Sequence, residues 1–331
     1  MKYIAVTPNK GLTFDNIAKP SIEADECLVK VAAIGVNRAD LLQRDGKYPA
    51  PIGESEILGL EVSGTIIESG LAVDNKIWPI GCKVFGLVAG GGYAQHVKIK
   101  ASQLFLLPQN YSFAQGAACA EVFLTAYQSL FTIAKLFKVK QRVMKPRILI
   151  HAGASGVGTA AIQLAKTIGC YVVATVGSDI KTQSCLSLGA DVVLNYQKTD
   201  FTQWSKEHMP KGYDVILDVV AGDYVTKNIK VAALDGHIVM LAMLGGRFSE
   251  PVDIAKLLTK RISITASTLR NRDEAYKAKL VSDFTSDFYQ QLNEGKIKPV
   301  IDSSYSWKQA ELAHQKMANN ENIGKLILLV D

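Results

Sequence analysis

One segment constrains the fold of this 331-residue chain more than any other: Ile148-Leu149-Ile150-His151-Ala152-Gly153-Ala154-Ser155-Gly156-Val157-Gly158. An apolar run passes through a turn of small residues into a stretch of helical composition, 157–168. Such a turn gathers backbone N–H groups at the positive end of a helix, where a dinucleotide pyrophosphate can approach closely. The candidates for that contact are Gly153, Ser155, Gly156, Val157 and Gly158. The pattern departs from G-x-G-x-x-G, because Ser155 stands at the middle glycine. Alone, it also fits a plain strand–helix turn. The alternation around it favours the dinucleotide reading. Apolar runs recur at 147–151, 171–176, 192–195, 213–219, 237–241 and 261–265, with helical segments such as 157–168 and 181–188 between them. Six strands alternating with helices predict an α/β fold, a doubly wound parallel sheet covered on both faces.

The chain before this region has another texture. Strands are expected at 1–7, 27–34, 59–68, 83–88 and 93–98, and seven of the ten prolines lie before residue 147. Residues 113–136 read as one alanine-rich helix. Beyond about residue 270 the pattern is one or two helices and a closing strand, 325–330. The expected organisation is a β-rich substrate domain at 1–122, a cofactor domain at 123–269 and a return to the first domain at 270–331.

Composition excludes several classes. Hydrophobic residues make up 48 %, enough for a sizeable core and too many for disorder. The 37 Lys and Arg against 31 Asp and Glu leave +6, scattered rather than clustered, so nothing points to nucleic acid. No stretch spans a bilayer, the first ten residues carry no apolar signal core, and no membrane association is expected. Cys27, Cys82, Cys119, Cys170 and Cys185 are odd in number and form no C-x-x-C pair. That argues against a disulfide framework and for a reducing, cytoplasmic compartment.

Cofactor choice is written after the second strand of the alternating region. An NAD-preferring protein places an acid there for the ribose 2′-hydroxyl. Here the run ends in Gly177-Ser178, and Asp179 comes two residues late, as a helix cap. Ser178, Lys181 and Tyr196 suit a 2′-phosphate dianion, so NADPH is the expected cofactor.

Several further blocks occur in one order: Val36-Asn37-Arg38-Ala39-Asp40, Gly59-Leu60-Glu61-Val62-Ser63-Gly64, Gly81-Cys82-Lys83-Val84-Phe85, Gly90-Gly91-Gly92-Tyr93, Leu188-Gly189-Ala190, Asn195-Tyr196 and Asn322-Ile323-Gly324-Lys325. With the glycine turn, they resemble the medium-chain dehydrogenase/reductase superfamily over essentially the whole chain. The likeness is to its zinc-free, zeta-crystallin-like quinone oxidoreductases, in particular the stress-inducible subgroup. Cys82 departs from the aspartate usual there. The resemblance implies a Rossmann domain plus a discontinuous GroES-like domain, and a homodimer formed through 261–265. Zinc-dependent relatives carry a cysteine at Asn37, a histidine at Leu60 and a third ligand near Glu121, so a metal-free protein is implied. It also places Asn37, Tyr48 and Thr125 near nicotinamide and substrate, and the turns at 242–245 and 267–269, with Met243, Ser267 and Leu269, along the cofactor. Val219 and Met243 are expected to shape apolar walls. Asn37 and Tyr48 are the candidate hydrogen-bond donors or proton carriers. The implied activity is hydride transfer from NADPH to a quinone. Two rivals stand beside it: reduction of an enone, alkenal or enoyl thioester, and a non-catalytic NADPH-binding or RNA-binding role.

Overall fold

The computed structural model describes all residues, Met1–Asp331, and they divide into two compact units. The first holds Met1–Leu124 and Leu269–Asp331; the second holds Thr125–Thr268. In chain order the first part carries β1 (Lys2–Val6), β2 (Leu12–Asn16), β3 (Glu26–Val36), α1 (Arg38–Arg44), β4 (Glu61–Ser69), β5 (Lys83–Leu87), β6 (His96–Lys100), β7 (Leu104–Leu106), α2 (Phe113–Ala117) and α3 (Ala120–Tyr127). The middle carries α4 (Leu136–Arg142), β8 (Arg147–Ile150), α5 (Gly156–Thr167), β9 (Tyr171–Val176), α6 (Asp179–Ser187), β10 (Val192–Asn195), α7 (Phe201–His208), β11 (Tyr213–Asp218), α8 (Tyr224–Val231), β12 (Ala232–Met240), α9 (Ile254–Lys260) and β13 (Ser263–Ala266). The return carries α10 (Glu274–Asn293), β14 (Ile301–Ser306), α11 (Ala310–Ala318) and β15 (Lys325–Leu329).

In the second unit six strands lie in the order β10-β9-β8-β11-β12-β13, all parallel. Their sequences explain this. All six residues of β11 are buried, as are Ile148–Ile150 of β8 and five of six in β9, which only a sheet covered on both faces permits. Leu149, Val173, Ile216 and Ile238 pack against Phe201, Tyr213 and Ile229. The chain reverses its direction of travel across the sheet between β8 and β11. Doubly wound sheets bind ligands at the carboxyl ends of the strands flanking such a switch.

In the first unit β3 is the central strand, pairing with β4, β6 and β15. The sheet runs β14-β15-β3-β4-β5-β7, so the last strand of the chain lies beside one of the first. Val29, Ile34, Val62, Tyr93, Trp307 and Leu326 share one core.

Three expectations need correction. Residues 113–136 are not one helix: α2 and α3 are separate, 128–133 is a π-helical turn, and Lys135 adopts φ 53°. Buried polar side chains are the reason. Gln128 donates to Ser267 Oγ at 3.0 Å, and Ser129 donates to the Thr125 carbonyl at 2.7 Å. Wider i→i+5 winding accommodates them where alanine-rich composition specifies only helix. The strands β2, β7 and β14 carry no strong apolar alternation and lie outside the expected set. β12 begins at Ala232, ahead of the apolar run at 237–241, and bends at Asp235, which has φ 58°.

Gly35 is where backbone meets backbone: a Cβ there would lie 2.2 Å from the Ala117 carbonyl and 2.5 Å from Glu61 Oε1. Gly35→Ala is therefore expected to cost about 1–3 kcal/mol or more. Thermal unfolding checks this, and an unchanged midpoint refutes it.

Candidate functional site

The glycine turn follows β8 directly. Ser155, at the place of the middle glycine, is the N-cap of α5, and its Oγ accepts from the Gly158 N–H at 3.0 Å. The departure from the motif is thus a helix cap. A Cβ on Gly158 would meet the Ala152 carbonyl at 2.4 Å, and one on Gly153 would meet Ala174 Cβ at 2.8 Å. The helix start is pressed onto the turn, and the turn onto β9. As the first residues of α5, Gly156 and Val157 present N–H groups with no carbonyl one turn back to bind.

At the end of β9, Tyr196 packs on Gly177: a Cβ there would lie 2.5 Å from the phenol oxygen. Ser178 is the N-cap position of α6, and Lys181 lies in its first turn. Asp179 is turned to other partners, accepting from Asn195 Nδ2 at 3.0 Å and Lys198 Nζ at 2.6 Å. Those bonds hold its carboxyl below the usual carboxylate range. The first acid after β9 is thus already paired, and Tyr196 lies against Gly177, which precedes the helix that carries Lys181.

The switch-point crevice has a rigid floor. His151 Nε2 lies 2.8 Å from Asn228 Oδ1, and Asn228 Nδ2 donates to Asp218 Oδ2 at 3.0 Å. Asp218 Oδ1 accepts the N–H groups of Val220 and Ala221. Since the Asn228 amide donates to Asp218, its oxygen faces a protonated Nε2, so Nδ1 accepts from Thr175 Oγ1 at 2.9 Å. Burial keeps His151 neutral, and it is structural. This network fixes the β11 end that carries Val219. The turn at 242–245 is bonded to it, with Leu244 N–H donating to the Val219 carbonyl. Met243 stands exposed on that turn, while Ser267 is buried and held by Gln128. Thr125 is buried on α3. A concavity of about 610 Å³ in this unit lies elsewhere. Lys206, Met209, Lys230, Leu234 and Lys260 line it, at the start of β12 rather than at its carboxyl end.

In the first unit, Asn37 caps α1 and stands in a buried polar cluster. Lys325 Nζ contacts Glu61 Oε1 at 2.6 Å and Asn37 Oδ1 at 2.7 Å. Asn37 Nδ2 donates to Glu61 Oε1 and to the Gly35 carbonyl, each at 3.1 Å. Both amide hydrogens are engaged. Asn37, the candidate donor, is thus a node of this cluster, and a bond from its amide to a substrate requires one of these to be exchanged. The same cluster bears on metal. With Leu60 beside it and an ammonium between the amide and the carboxylate, the donor set does not fit a divalent ion. No three His, Cys, Asp or Glu side chains gather in a metal-holding group.

Tyr48 is half-buried, with the Arg270 guanidinium 5.5 Å from its ring centre. Burial, then the Glu121 charge, push its hydroxyl above the ordinary tyrosine range, so it stays protonated. Leu269 is buried in this unit and shares a small cavity with Arg270.

A second network lies behind Asn37. The Asn37 N–H donates to Asp40 Oδ2 at 2.8 Å, and so does the Tyr93 hydroxyl at 3.2 Å. Tyr93 Oη lies 2.9 Å from His314 Nε2, and Arg44 Nη1 approaches His314 Nδ1 at 3.5 Å. Arginine only donates, so Nδ1 accepts, Nε2–H points at the phenol oxygen and the phenol proton points at Asp40. Sequence reasoning assigns no role to Glu61, Lys325, Asp40, Tyr93 or His314. Glu61, Lys325, Asp40 and Tyr93 lie inside blocks recognised there, but only folding joins them.

With this geometry in place, comparison with known proteins identifies the family. The model of the zinc-binding dehydrogenase family matches residues 156–285, and that of the alcohol dehydrogenase GroES-like domain matches residues 23–109. The chain belongs to the medium-chain dehydrogenase/reductase superfamily. Among curated relatives of this superfamily chain, the synaptic vesicle membrane protein VAT-1 homolog of Danio rerio is 28 % identical over 326 residues, 95 % of this chain and 66 % of that protein. The chain therefore spans just under two thirds of that relative's length. The quinone oxidoreductase of Mus musculus is 28 % identical over 322 residues, 95 % of this chain and 92 % of that one. Escherichia coli quinone oxidoreductase complexed with NADPH superposes with TM-score 0.83 at 27 % identity, over 99 % of this chain and 98 % of that one. The CurK enoyl reductase gives 0.84 at 26 %, covering 100 % and 99 %, and an NAD-dependent alcohol dehydrogenase 0.84 at 25 %, covering 100 % of both. The chain carries a Rossmann-type unit of the zinc-binding dehydrogenase family and a GroES-like unit.

The Asp40–Tyr93–His314 network gives a test by pH. Burial raises Asp40 to about 6 and, with Arg44, lowers His314 to about 3. Between about pH 4 and 6 folded Asp40 keeps a proton that the unfolded chain has lost, so acidification through this window stabilises. Below about pH 6.5 the unfolded chain protonates His314 and the fold does not, so acidification destabilises. Near pH 5 each effect is on the order of 1–2 kcal/mol, with opposite signs. Asp40→Asn is expected to make the melting temperature fall more steeply than wild type between about pH 7.5 and 5, and His314→Gln less steeply. Equal slopes in all three proteins refute the network.

Proposed function

We propose that this protein is an NADPH-dependent, zinc-independent reductase of quinones. One observation carries the reading. Where zinc-dependent relatives polarise a carbonyl, the chain holds an amide, a leucine and an ammonium bound to a buried carboxylate. An acceptor in such a site must be electrophilic without metal assistance, as quinones and activated alkenes are. When bound, NADPH supplies the hydride. The turn Gly153–Gly158, in particular the N–H groups of Gly156 and Val157, would hold its pyrophosphate. Ser178, Lys181 and Tyr196 would hold the 2′-phosphate. Thr125, Val219, Met243, Ser267 and Leu269 would line the nicotinamide side, and Tyr48 would keep a proton beside the acceptor. Likeness to the mouse and E. coli quinone oxidoreductases supports the quinone reading. Likeness to CurK keeps enoyl reduction as a second reading.

We further propose a homodimer and a cytoplasmic setting. β13 ends its sheet with one edge unpaired, and exposed Phe248, Ile254 and Leu258 lie on the segment leading to it, which supports pairing with a second copy. No single helix is long and apolar enough to cross a membrane, and all five cysteines are free.

Steady-state oxidation of NADPH with 1,4-quinones beside small enones tests the activity. Faster turnover of the quinones is expected; inactivity with both classes removes both readings. Lys181→Ala is expected to raise KM for NADPH by about tenfold or more, the worth of one charge-assisted contact, with little change for NADH. Equal changes for both cofactors refute the 2′-phosphate site.

A further inference from the structure

We propose that Arg270 is an oxyanion-holding catalytic residue, which receives the acceptor oxygen that turns negative when hydride arrives. The inference rests on the quinone-reductase reading above.

The guanidinium is 5 % exposed and only one of its nitrogens is bonded: Nε donates to the Ala89 carbonyl at 2.6 Å. Nη1 and Nη2 are both buried and meet no acceptor. Asp40, Glu54, Glu121 and the Tyr48 hydroxyl act on it through space, and no carboxylate forms an ion pair with it. A buried guanidinium with four N–H bonds unmet is among the costliest arrangements a fold can keep. A fold maintains it where an anion is to be met.

The shape of the space names the anion. Arg270 lines a cavity of about 10 Å³ with Leu60, Gln103, Glu121, Leu269 and Lys277. That is room for about one water-sized group, such as the tip oxygen of an acceptor. Lys277, 6 % exposed, adds a second positive charge to the wall, against one carboxylate, Glu121, so the lining is net cationic. The Tyr48 ring covers the guanidinium, its centre 5.5 Å away. In the reaction the quinone accepts one hydrogen with two electrons from NADPH, which is oxidised to NADP⁺. The bond to the transferred hydrogen breaks on the cofactor and forms on the quinone. The product is the hydroquinone monoanion, and a solvent proton neutralises it. A planar fork of preset N–H donors beside a space for one oxygen stabilises that charge as it develops.

The test uses 4-nitrophenol, a phenol whose ionised form absorbs distinctly, bound to the NADP⁺-saturated protein. Wild type is expected to raise the phenolate fraction at fixed pH, and Arg270→Gln to abolish that rise. The same variant is expected to lower kcat on 1,4-naphthoquinone by about 10²-fold. Arg270→Lys, which keeps charge but not the fork, is expected to fall between and serves if the glutamine variant is poorly folded. Melting separates a packing role: Arg270→Gln should melt no lower than wild type, because an uncompensated buried charge is gone. A lower melting point with the phenolate fraction intact overturns the proposal, as does the absence of phenolate enrichment in wild type. If no quinone is reduced yet phenolate enrichment depends on Arg270, the quinone reading fails and the oxyanion subsite stands.

Discussion

The ion pair between Glu61 and Lys325 is the interaction on which the first unit turns. Both groups are withdrawn from water, and the 2.6 Å contact between them joins β4 to the last strand of the chain. Removing one partner from such a pair leaves a buried charge uncompensated, typically a loss of about 3–5 kcal/mol. The remaining valences are also used. Glu61 Oε2 accepts the Glu121 N–H, fixing the start of α3, and Lys325 donates to the Val36 carbonyl and to Asn37. The carboxyl-terminal segment is thus wired to the cap of α1. Gly35 makes this possible, because any side chain there would occupy the place of Glu61 Oε1.

The second unit depends on a different economy of donors. Its sheet pairs the backbone groups of the inner strands, while the first turn of α5 has N–H groups with no carbonyl one turn back. Ser155 settles the Gly158 donor, which leaves the N–H groups of Gly156 and Val157 without an intrahelical acceptor. The His151–Asn228–Asp218 chain leaves none of its polar atoms over for chemistry, which is why a histidine at a strand end here is scaffold.

These particulars show what the sequence makes legible. The parallel sheet is readable because 171–174, 192–194 and 215–217 are apolar runs set between helical segments, the mark of strands buried on both faces. The glycine turn is readable because close approach demands small residues at fixed spacing. The π-turn at 128–133 is not, since its cause is Ser267, 139 residues away from Gln128. The state of Asn37 is hidden for the same reason: whether an amide hydrogen is free depends on Glu61 and Lys325, brought in by β4 and β15. β2 and β14 are illegible because half-exposed polar strands carry little hydrophobic signal. Local pattern fixes elements, whereas the availability of a donor is a property of the assembled neighbourhood.

That distinction bears on which charges are functional. Most buried or half-buried cations in this chain are accounted for: Arg147 forks onto Asp214, Lys166 meets Asp191, and Lys325 meets Glu61. Each is tied to a partner that the fold itself supplies, so each contributes to holding strands and helices in register and has nothing left to offer a ligand. Arg270 differs in kind. Its Nε is used to fix the stem, which orients the fork, while the two terminal nitrogens are kept dry and unbonded. Orientation without satisfaction is the condition for electrostatic preorganisation, because the cost of desolvating and aiming the donors is met in folding rather than at the moment of reaction. A side chain that only filled space would need neither the anchored stem nor the charge.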